Sequence, residues 1–540
     1  MNRLRTRADA LAVGALVVLS VALWIPRRAG SLDLRWDAGV YYVLGTSLAE
    51  GQGYRLLNEP GAPHAIQYPP GLPLLVAAHQ RVLGSRDPAV AGHVLRWTFG
   101  ALFIAYVLLV HRFMRRRLTS SWALVATLLV TLHLNLIWLS DLLFADLPFA
   151  LATVLFLLLA ERRAHWSHGL VASAAYLVRS TGLAALAAWV ADAVLRRRAR
   201  EAIVRTALAA IPVVAWQLYV GDVQRGIEYR EPAYVYQRAP YQQYNVGYAE
   251  NMAYVDPFAP ERGRIDRAGV ATRVAANLRA LPHALGESVS GGAPWIYALS
   301  ERLTGAGRSG IVDRAFTLLG TICVVGQGVL LARGARVGPF YWLGSLALMM
   351  LTPWPDQFGR YLMPLAPLSA LGFVASLAAV AAAWPRPTVR GAIAVGLAGL
   401  LLFQAALVVI VFRSEHRQAF AGKQRLFFYT DAWRAQDEAI AWLATAAPPG
   451  AIVATSTPFR VYLATGLRSV FPPLEADVAE ADRLLAAVPV DYLVVDDLRF
   501  IHIAITGRYA EPVVQAFPER WTLVYGEPGR GTRVYRRASG

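Results

Sequence analysis

The chain has 540 residues, of which 56% are hydrophobic, and a formal net charge of +17. Its mean hydropathy of +0.39 and its recurrent apolar runs of about 20 residues exclude an ordinary soluble enzyme and indicate a polytopic α-helical membrane protein. The charge does not indicate a nucleic-acid partner, because the arginines lie in short clusters between the apolar runs, and the single cysteine, Cys323, excludes a disulfide within the chain.

The basic clusters occupy alternate gaps between the apolar runs. They lie at residues 3–7, 111–117, 161–168, 196–205, 333–336 and 386–390. The positive-inside rule assigns such clusters to the cytoplasm, so the intervening gaps are predicted to be external. The sequence therefore predicts an integral protein of the cell (plasma or inner) membrane, with a cytoplasmic N-terminus and an extracytoplasmic C-terminus.

This alternation predicts about eleven transmembrane helices. Their predicted positions are residues 9–25, 89–110, 119–139, 145–160, 169–179, 181–195, 203–220, 311–332, 338–352, 361–383 and 391–412. The segments 169–179 and 181–195 are short for about 30 Å of hydrocarbon, so tilted or re-entrant helices are expected there.

The first external loop, residues 26–88, is too polar to cross a membrane and carries the acids Asp33 and Asp37. Tyr41 follows Asp37 by four residues, and Tyr68 precedes two prolines. An apolar run at residues 72–82 is short for a span and is predicted to be a helix in the membrane interface. Two acids at a membrane exit suggest a functional loop, with an ordinary solvated loop as the alternative.

The second external loop, residues 221–310, is rich in tyrosine, glutamine and arginine. Such a composition suits contacts with a sugar and equally suits packing on lipid headgroups, and for any single residue we favour the second interpretation. Residues 266–283 have apolar positions near helical spacing and are predicted to form another interfacial helix.

Residues 416–540 have the composition of a soluble domain. Amphipathic helices are predicted at 430–446 and 475–487, buried strands at 451–455 and 491–495, and a hairpin at 521–536. This pattern predicts a small extracytoplasmic α/β domain. The segment has neither a glycine-rich phosphate loop nor metal-ligand spacing, so no chemistry is assigned to it.

Charged residues near the predicted external ends of the spans are the candidates for chemistry. Asp141 and Asp146 lie where a span meets the external side, and Arg179 and Arg360 interrupt or begin apolar segments. Such residues are costly near hydrocarbon and usually face a cavity or a partner. Asp146 can alternatively cap the helix that follows it, and Arg360 can extend to lipid headgroups.

Taken in order, these motifs resemble the C-type (GT-C) membrane glycosyltransferases, especially the branch of protein O-mannosyltransferases and aminoarabinose transferases of lipid A. The resemblance covers residues 1–415 and rests on Asp37 with Tyr41 and Tyr42, Tyr68-Pro69-Pro70, residues 140–149, Arg179-Ser180-Thr181-Gly182, and Arg360-Tyr361 with Pro364 and Pro367.

The resemblance implies a polyprenyl-phosphate-linked sugar donor, an inverting transfer on the external face, and a first-loop acid as catalytic base, which falls on Asp37. The acceptor is a lipid, a glycan or a protein. Many relatives carry a second acid directly after the first, whereas Ala38 stands here. A metal held by paired carboxylates is therefore not supported, and no cofactor is expected.

The chemistry of such a transfer assigns further roles. A departing phosphate needs positive charge, which Arg360, with Arg179 and the Tyr361 hydroxyl, is suited to supply. Asp37 would deprotonate the attacking hydroxyl from the opposite side of the anomeric carbon. The predicted substrate-binding set is Tyr41, Tyr68, Asp141, Asp146, Arg179, Arg360 and Tyr361.

Two other functional classes fit parts of the sequence. A transporter or flippase of a lipid-linked sugar would use the same arginines for phosphate and the acids for proton coupling. Transporters usually contain internal repeats and helices broken at the midplane, and neither pattern is evident here. A noncatalytic membrane anchor for the C-terminal domain leaves the membrane-proximal charges without a role.

Overall fold

The structure is a computed structural model that describes residues 2–27, 30–160, 167–305, 310–420, 428–500 and 503–538. Most of the predicted basic cluster at 161–168 lies outside these residues, as do the side chains of the cluster at residues 3–7. The chain is mostly helical and contains one small sheet near its C-terminus, as predicted.

The helices, in chain order, are α1 Asn2–Trp24, α2 Asp37–Ala49, α3 Gly71–Leu83, α4 Pro88–Arg115, α5 Ser120–Thr131, α6 Leu134–Leu139, α7 Asp146–Ala160, α8 Ser167–Val178, α9 Leu183–Leu195, α10 Ala199–Arg225, α11 Ile227–Arg230, α12 Tyr248–Met252, α13 Arg267–Ser290, α14 Ala293–Thr304, α15 Gly310–Ala332, α16 Val337–Met349, α17 Phe358–Tyr361, α18 Ala366–Ala383, α19 Pro387–Phe420, α20 Asp431–Ala446, α21 Pro458–Thr465, α22 Val478–Ala487, α23 Ile505–Tyr509 and α24 Glu511–Ala516. Short 3₁₀ helices lie at Ile25–Arg27, Ser180–Gly182, Pro260–Arg262, Pro355–Gln357 and Met363–Leu365. The strands are β1 Ile452–Ala454, β2 Arg468–Val470, β3 Tyr492–Val495, β4 Trp521–Glu527 and β5 Arg530–Arg537.

Among the described residues, five helices are long and apolar enough to cross a membrane: Pro88–Arg115, Ala199–Arg225, Gly310–Ala332, Met363–Ala383 and Pro387–Arg417. Shorter apolar helices lie at Asp9–Trp24, Ser120–Thr131, Asp146–Ala160, Ser167–Val178, Ser180–Leu195 and Val337–Met349. Each predicted transmembrane segment thus contains an apolar helix, but that all of them cross the membrane stays a prediction.

The predicted span at 119–139 is not one continuous helix. α5 ends at Thr131 and α6 begins at Leu134, with His133 between them. The His133 Nδ1 accepts from the Asn135 N–H at 3.2 Å, and Nε2 lies 2.8 Å from the Glu287 carbonyl oxygen. Because that carbonyl can only accept, Nε2 carries the proton. The imidazole therefore caps α6 and interrupts the helix, which the run of apolar residues did not indicate.

The chain forms two compact units. Unit 1 comprises Met1–Gly30, Arg96–Val214 and Thr272–Lys423, and unit 2 comprises Ser31–Leu95, Ala215–Ala271 and Gln424–Gly540. Unit 2 thus gathers most of the first predicted external loop, part of the second, and the C-terminal segment.

Unit 1 contains helices that approach one another very closely. A Cβ atom at Gly326 in α15 would lie 1.9 Å from the carbonyl oxygen of Gly372 in α18. One at Gly320 would lie 1.8 Å from the carbonyl oxygen of Pro282 in α13. Only glycine permits these backbone contacts, and small residues of this kind let helices in a membrane protein pack tightly.

Unit 2 contains the sheet, in the order β2-β1-β3-β5-β4. β1 is parallel to β2 and β3, whereas β5 is antiparallel to both β3 and β4. The predicted strands and hairpin are present, but strand β2 was missed because its sequence, Arg-Ser-Val, lacks the apolar run that marked β1. α20 packs Ile440 and Leu443 on the sheet residues Val453, Tyr492 and Val494.

The first loop continues the sheet of unit 2 at its edge. The Ser469 N–H donates to the Asn58 carbonyl oxygen at 2.6 Å, and the Asn58 amide donates to the Ser469 carbonyl oxygen at 3.1 Å. These bonds pair backbone groups of the edge strand β2 that would otherwise lack a neighbour. The C-terminal sheet and the first loop are therefore parts of one folded body.

A buried carboxylate, Glu59, joins the two loops within unit 2. It accepts hydrogen bonds from the Tyr234 hydroxyl at 2.8 Å, the Asn245 amide at 2.9 Å and the Gln237 amide at 3.2 Å. Burial raises the pKa of Glu59, and these donors oppose that rise. These contacts explain how a tyrosine- and glutamine-rich loop is held in one conformation, although its sequence has little regular pattern.

Candidate functional site

The candidate residues form two groups, one in each unit. In unit 1, Asp146, Arg179 and Arg360 form the arginine–carboxylate cluster. In unit 2, Asp37, Tyr41, Tyr68, Tyr244 and Phe459 form the aspartate–tyrosine cluster.

Asp146 is the centre of the arginine–carboxylate cluster. It is the first residue of α7, and its side chain is 1% exposed. Oδ1 accepts from Arg179 Nη1, and Oδ2 accepts from Arg360 Nη2 at 3.2 Å and Nε at 3.3 Å. The side chains of the two arginines are 17% and 18% exposed. Two cations share one buried carboxylate, so the cluster carries a net positive charge.

Local sequence places both arginines at breaks in helices. Arg179 lies between α8 and the 3₁₀ helix Ser180–Gly182, and a Cβ at Gly182 would lie 2.5 Å from the Tyr176 nitrogen. Arg360 lies in the single turn α17, which is flanked by 3₁₀ turns that begin at or contain prolines. Proline lacks an N–H and cannot continue a helix ladder, so the side chain is held on an irregular segment.

Aromatic rings lie against both guanidinium groups. The Arg360 guanidinium carbon is 4.1 Å from the ring centroid of Phe144, and that of Arg179 is 5.3 Å from Tyr361. Such rings attract a cation through their quadrupole and restrict its orientation. The predicted residue Tyr361 thus contacts Arg179 through its ring.

A polar network supports the segment that precedes Arg360. The Asn135 amide lies 3.4 Å from both the Glu287 carboxylate and the Gly359 carbonyl oxygen, and the Ala293 N–H donates to Glu287 at 3.0 Å. A Cβ at Gly359 would lie 2.6 Å from Glu287 Oε1. Glu287 did not stand out in the sequence, because it lies in the predicted second external loop, beyond the predicted interfacial helix at 266–283, and its partner Asn135 is 152 positions away in the chain.

Asp141 lies in a separate buried ion pair of unit 1. Its Oδ1 is 3.3 Å from Arg96 Nη2, and the two side chains are 5% and 2% exposed respectively. Arg96 was missed in the sequence, although a charged residue inside the apolar helix α4 is the kind of signal that could have found it. The structure therefore pairs Asp141 with Arg96 and Asp146 with Arg179 and Arg360, and the assignment of both acids to substrate binding stays a prediction.

The aspartate–tyrosine cluster surrounds the start of α2. The Tyr244 hydroxyl donates to Asp37 Oδ1 at 2.8 Å. The ring of Tyr68 stacks on Tyr41 with centroids 5.2 Å apart and meets Tyr244 edge-on at 5.3 Å. Burial and the nearby charge of Asp37 raise the pKa of Tyr68. Asp37 is half-buried, with its carboxylate oriented by a phenol.

The C-terminal segment completes this cluster. Phe459, in α21, packs edge-on against Tyr244 with centroids 5.2 Å apart, and a Cβ at Gly39 in α2 would lie 2.7 Å from the Phe459 Cβ. No pattern in the sequence indicated Phe459. The signal for Tyr244 was only the tyrosine- and amide-rich composition of its loop.

Asp33, the acid that precedes Asp37 in the first loop, is held in a buried ion pair. Arg35 donates to it from Nη2 at 2.7 Å and from Nε at 3.0 Å, and both residues are buried. The Arg35 guanidinium also lies 4.5 Å from the ring centroid of Trp36 and 5.2 Å from that of Trp433. This buried bidentate pair gives Asp33 a structural role.

Trp36, between this ion pair and Asp37, has an unusual backbone. Its φ of 53° lies in the left-handed region, which costs a bulky residue of order 1–3 kcal/mol. Its ring meets Trp433 edge-on at 5.3 Å, which holds the conformation in place. The chain thereby turns sharply before α2, and Asp37 becomes the first residue of that helix. Strain of this kind is frequent at functional sites.

The part of the chain that the structure describes contains no group of three or more histidine, cysteine, aspartate or glutamate side chains placed to hold a metal ion.

The fold is similar to that of two solved membrane glycosyltransferases. An Archaeoglobus fulgidus oligosaccharyltransferase tethered to an acceptor peptide matches with a TM-score of 0.51 and 13% identity, over 98% of this chain and 74% of that one. ArnT from Cupriavidus metallidurans, bound to undecaprenyl phosphate, matches with a TM-score of 0.51 and 11% identity, over 98% of this chain and 97% of that one. No protein-family model and no curated protein sequence matches the chain.

Both solved proteins are C-type glycosyltransferases. At these identities the similarity establishes the fold, and it covers nearly the whole chain. The resemblance inferred from the ordered motifs is therefore confirmed at the level of the fold.

Proposed function

We propose that this protein is a membrane glycosyltransferase that moves a sugar from a polyprenyl-phosphate donor to an acceptor hydroxyl, with inversion at the anomeric carbon. The observation that carries the proposal is the arginine–carboxylate cluster, in which Arg179 and Arg360 converge on the buried Asp146. The acceptor hydroxyl belongs to a lipid, a glycan or a protein. ArnT, which shares the fold, was solved with undecaprenyl phosphate, and this supports a lipid-linked donor.

The arginine–carboxylate cluster would bind the donor phosphate. A guanidinium group presents several N–H donors in a planar fork that matches phosphate oxygens. Asp146 holds the two forks in place from the buried side, and Phe144 and Tyr361 limit their rotation. Donors that are oriented before the substrate binds stabilise the charge that develops on the leaving phosphate.

Asp37 would act as the general base. It would take the proton from the acceptor hydroxyl as that oxygen attacks the anomeric carbon, and the bond from that carbon to the phosphate oxygen would break. Both electrons of that bond leave with the polyprenyl phosphate. Tyr244 orients the carboxylate, and the rings of Tyr41 and Tyr68 form an apolar wall beside it. Asp33 is not suited to this role because Arg35 holds it.

The proposed reaction takes place on the external face of the cell membrane. The arginine-rich gaps are assigned to the cytoplasm, with the N-terminus, and the C-terminal segment lies outside. This orientation would place the start of α7, α17, the two predicted external loops and the C-terminal segment on the external side.

The test measures release of undecaprenyl phosphate from a panel of undecaprenyl-phosphate sugars by the purified protein, with a cell-envelope extract added to supply the acceptor hydroxyl. This product forms whichever sugar is transferred, so the assay does not require the sugar to be known. Asp37→Asn should reduce release by about 10²-fold or more while leaving binding of undecaprenyl phosphate unchanged. Asp431→Asn is the matched control, because Asp431 is also the first residue of a helix and its side chain is 95% exposed.

The outcomes separate the competing functions. If wild type moves labelled donor across vesicles without releasing undecaprenyl phosphate, the protein is a transporter. If Asp37→Asn turns over at the wild-type rate, the base is another residue. If Asp37→Asn fails only because it no longer binds undecaprenyl phosphate, Asp37 positions the donor and the assigned role is wrong.

A further inference from the structure

A second polar site lies in unit 1, away from the arginine–carboxylate cluster. It is a cavity of about 420 Å³ between the ends of several apolar helices. Five arginines line it: Arg116 and Arg117 after α4, Arg196 after α9, and Arg333 and Arg336 between α15 and α16. Among the described residues that line it, none is a carboxylate, so this part of the cavity wall is basic.

Two of these arginines bond to backbone carbonyl groups and one bonds to a carboxylate. Arg116 donates to the carbonyl oxygen of Leu158, and Arg336 lies 3.4 Å from the carbonyl oxygen of Leu195. A carbonyl group carries no net charge, so the bond of Arg336 orients its guanidinium group without neutralising it. Arg196 does bind a carboxylate, that of Asp192, at 2.8 Å.

A helix terminus adds to the positive potential. α16 begins at Val337, and the lining includes Val337 and Gly338, whose N–H groups belong to the first turn. The N–H groups of a first turn lack carbonyl partners within the helix and attract anions. The arginines and the start of α16 thus face the same space.

Part of the cavity wall is apolar. Phe113, Leu157, Leu330, Leu368 and Leu371 line it, and each belongs to an apolar helix of unit 1. The volume of about 420 Å³ is far larger than a phosphate group, which occupies the space of a few water molecules of about 30 Å³ each. A ligand that fills the cavity is therefore larger than a phosphate group and joins an anionic group to an apolar part.

The cavity is distinct from the proposed donor site. Asp146 is the first residue of α7, whereas Leu157 and Ala160 reach the cavity from the last turn of the same helix. Fourteen residues at about 1.5 Å each separate the two ends by about 21 Å. The lining arginines also belong to the clusters that the charge pattern assigns to the cytoplasm.

We propose that this cavity binds an anionic glycerophospholipid of the membrane. The phosphate would lie among the arginines and the start of α16, and the first carbons of the acyl chains would lie on the apolar wall. Basic pockets between transmembrane helices are suited to anionic headgroups in this way. Neither the proposed glycosyl transfer nor the arginine–carboxylate cluster requires this site.

The experiment measures lipid binding to the full-length protein by native mass spectrometry, with phosphatidylglycerol and phosphatidylcholine titrated separately. Arg333→Gln combined with Arg336→Gln should weaken phosphatidylglycerol binding about thirtyfold, because each removed arginine contributes about fivefold near a membrane surface. Arg386→Gln combined with Arg390→Gln is the matched control, since it removes the same charge from exposed positions outside the lining. The thermal midpoint of each variant checks that it is folded.

The proposal is supported if phosphatidylglycerol binds more tightly than phosphatidylcholine and only the cavity variant loses it. Equal losses in the cavity and control variants would show general surface attraction and overturn the proposal. Displacement of phosphatidylglycerol by an equal concentration of inorganic phosphate would identify a soluble anion as the ligand instead. Equal binding of both lipids would also contradict it. Release of undecaprenyl phosphate should be unchanged, so this test is independent of the proposed reaction.

Discussion

Replacement of Arg360 by lysine tests how the donor phosphate is held. The arginine makes two hydrogen bonds to Asp146, at 3.2 and 3.3 Å, and lies 4.1 Å from the Phe144 ring centroid. Lysine keeps the charge but loses the planar fork. Loss of one charge-assisted hydrogen bond to phosphate corresponds to about 1.5–3 kcal/mol, so the affinity should fall about 10- to 150-fold.

The assay titrates undecaprenyl phosphate against wild type and Arg360→Lys in detergent. Arg314→Lys is the control, because Arg314 lies exposed near the start of α15 and bonds only to the Gly310 carbonyl oxygen among the contacts described. Thermal midpoints should remain close, since Arg179 still binds Asp146 and the lysine retains a positive charge. Equal affinity of wild type and Arg360→Lys would refute the phosphate role and leave Arg360 as an anchor at lipid headgroups.

Two further predictions concern orientation and pH. Cysteines at the exposed positions Gln52 and Gln515 should react with an impermeant maleimide in intact cells, whereas one at exposed Thr388 should react only after permeabilisation; the reverse pattern would invert the proposed topology. Burial raises the pKa of Asp496 from 3.8 to about 6. Protonated Asp496 therefore does not lower the free energy of unfolding below about pH 4. As the pH rises through about 6, the free energy of unfolding should decrease by about 3 kcal/mol. Asp496→Asn should flatten the dependence of the thermal midpoint on pH across this range. If the dependence is unchanged in this variant, another titrating group causes it.

The candidate residues could be selected from the sequence because charge is rare near hydrocarbon. Asp146, Arg179 and Arg360 each stand out at the end of an apolar run, and the structure brings all three together. Their pairing was not predictable, because Asp146 and Arg360 are 214 positions apart. Asp141 stood out in the same way, yet it pairs with Arg96, so sequence position alone does not distinguish the two acids.

The residues that contact Asp37 were even less predictable from the sequence. Asp37 is recognisable from its place after the first apolar run, but Tyr244 and Phe459 reach its cluster from the second loop and the C-terminal segment. The C-terminal segment received no role from its sequence, because an aromatic residue in a short helix has no distinctive spacing. Asp33 looked similar to Asp37 until the buried pair with Arg35 separated them.

The sequence by itself determined where apolar helices form and which gaps between them are basic. Membrane thickness sets the length of an apolar run, and the charge of the flanking residues sets its direction, so both are local properties of the chain. Tertiary structure alone decided which carboxylate meets which guanidinium, and where five arginines enclose a cavity. Those contacts depend on how helices distant in sequence pack, and glycines such as Gly326 and Gly372 bring them together at backbone distance.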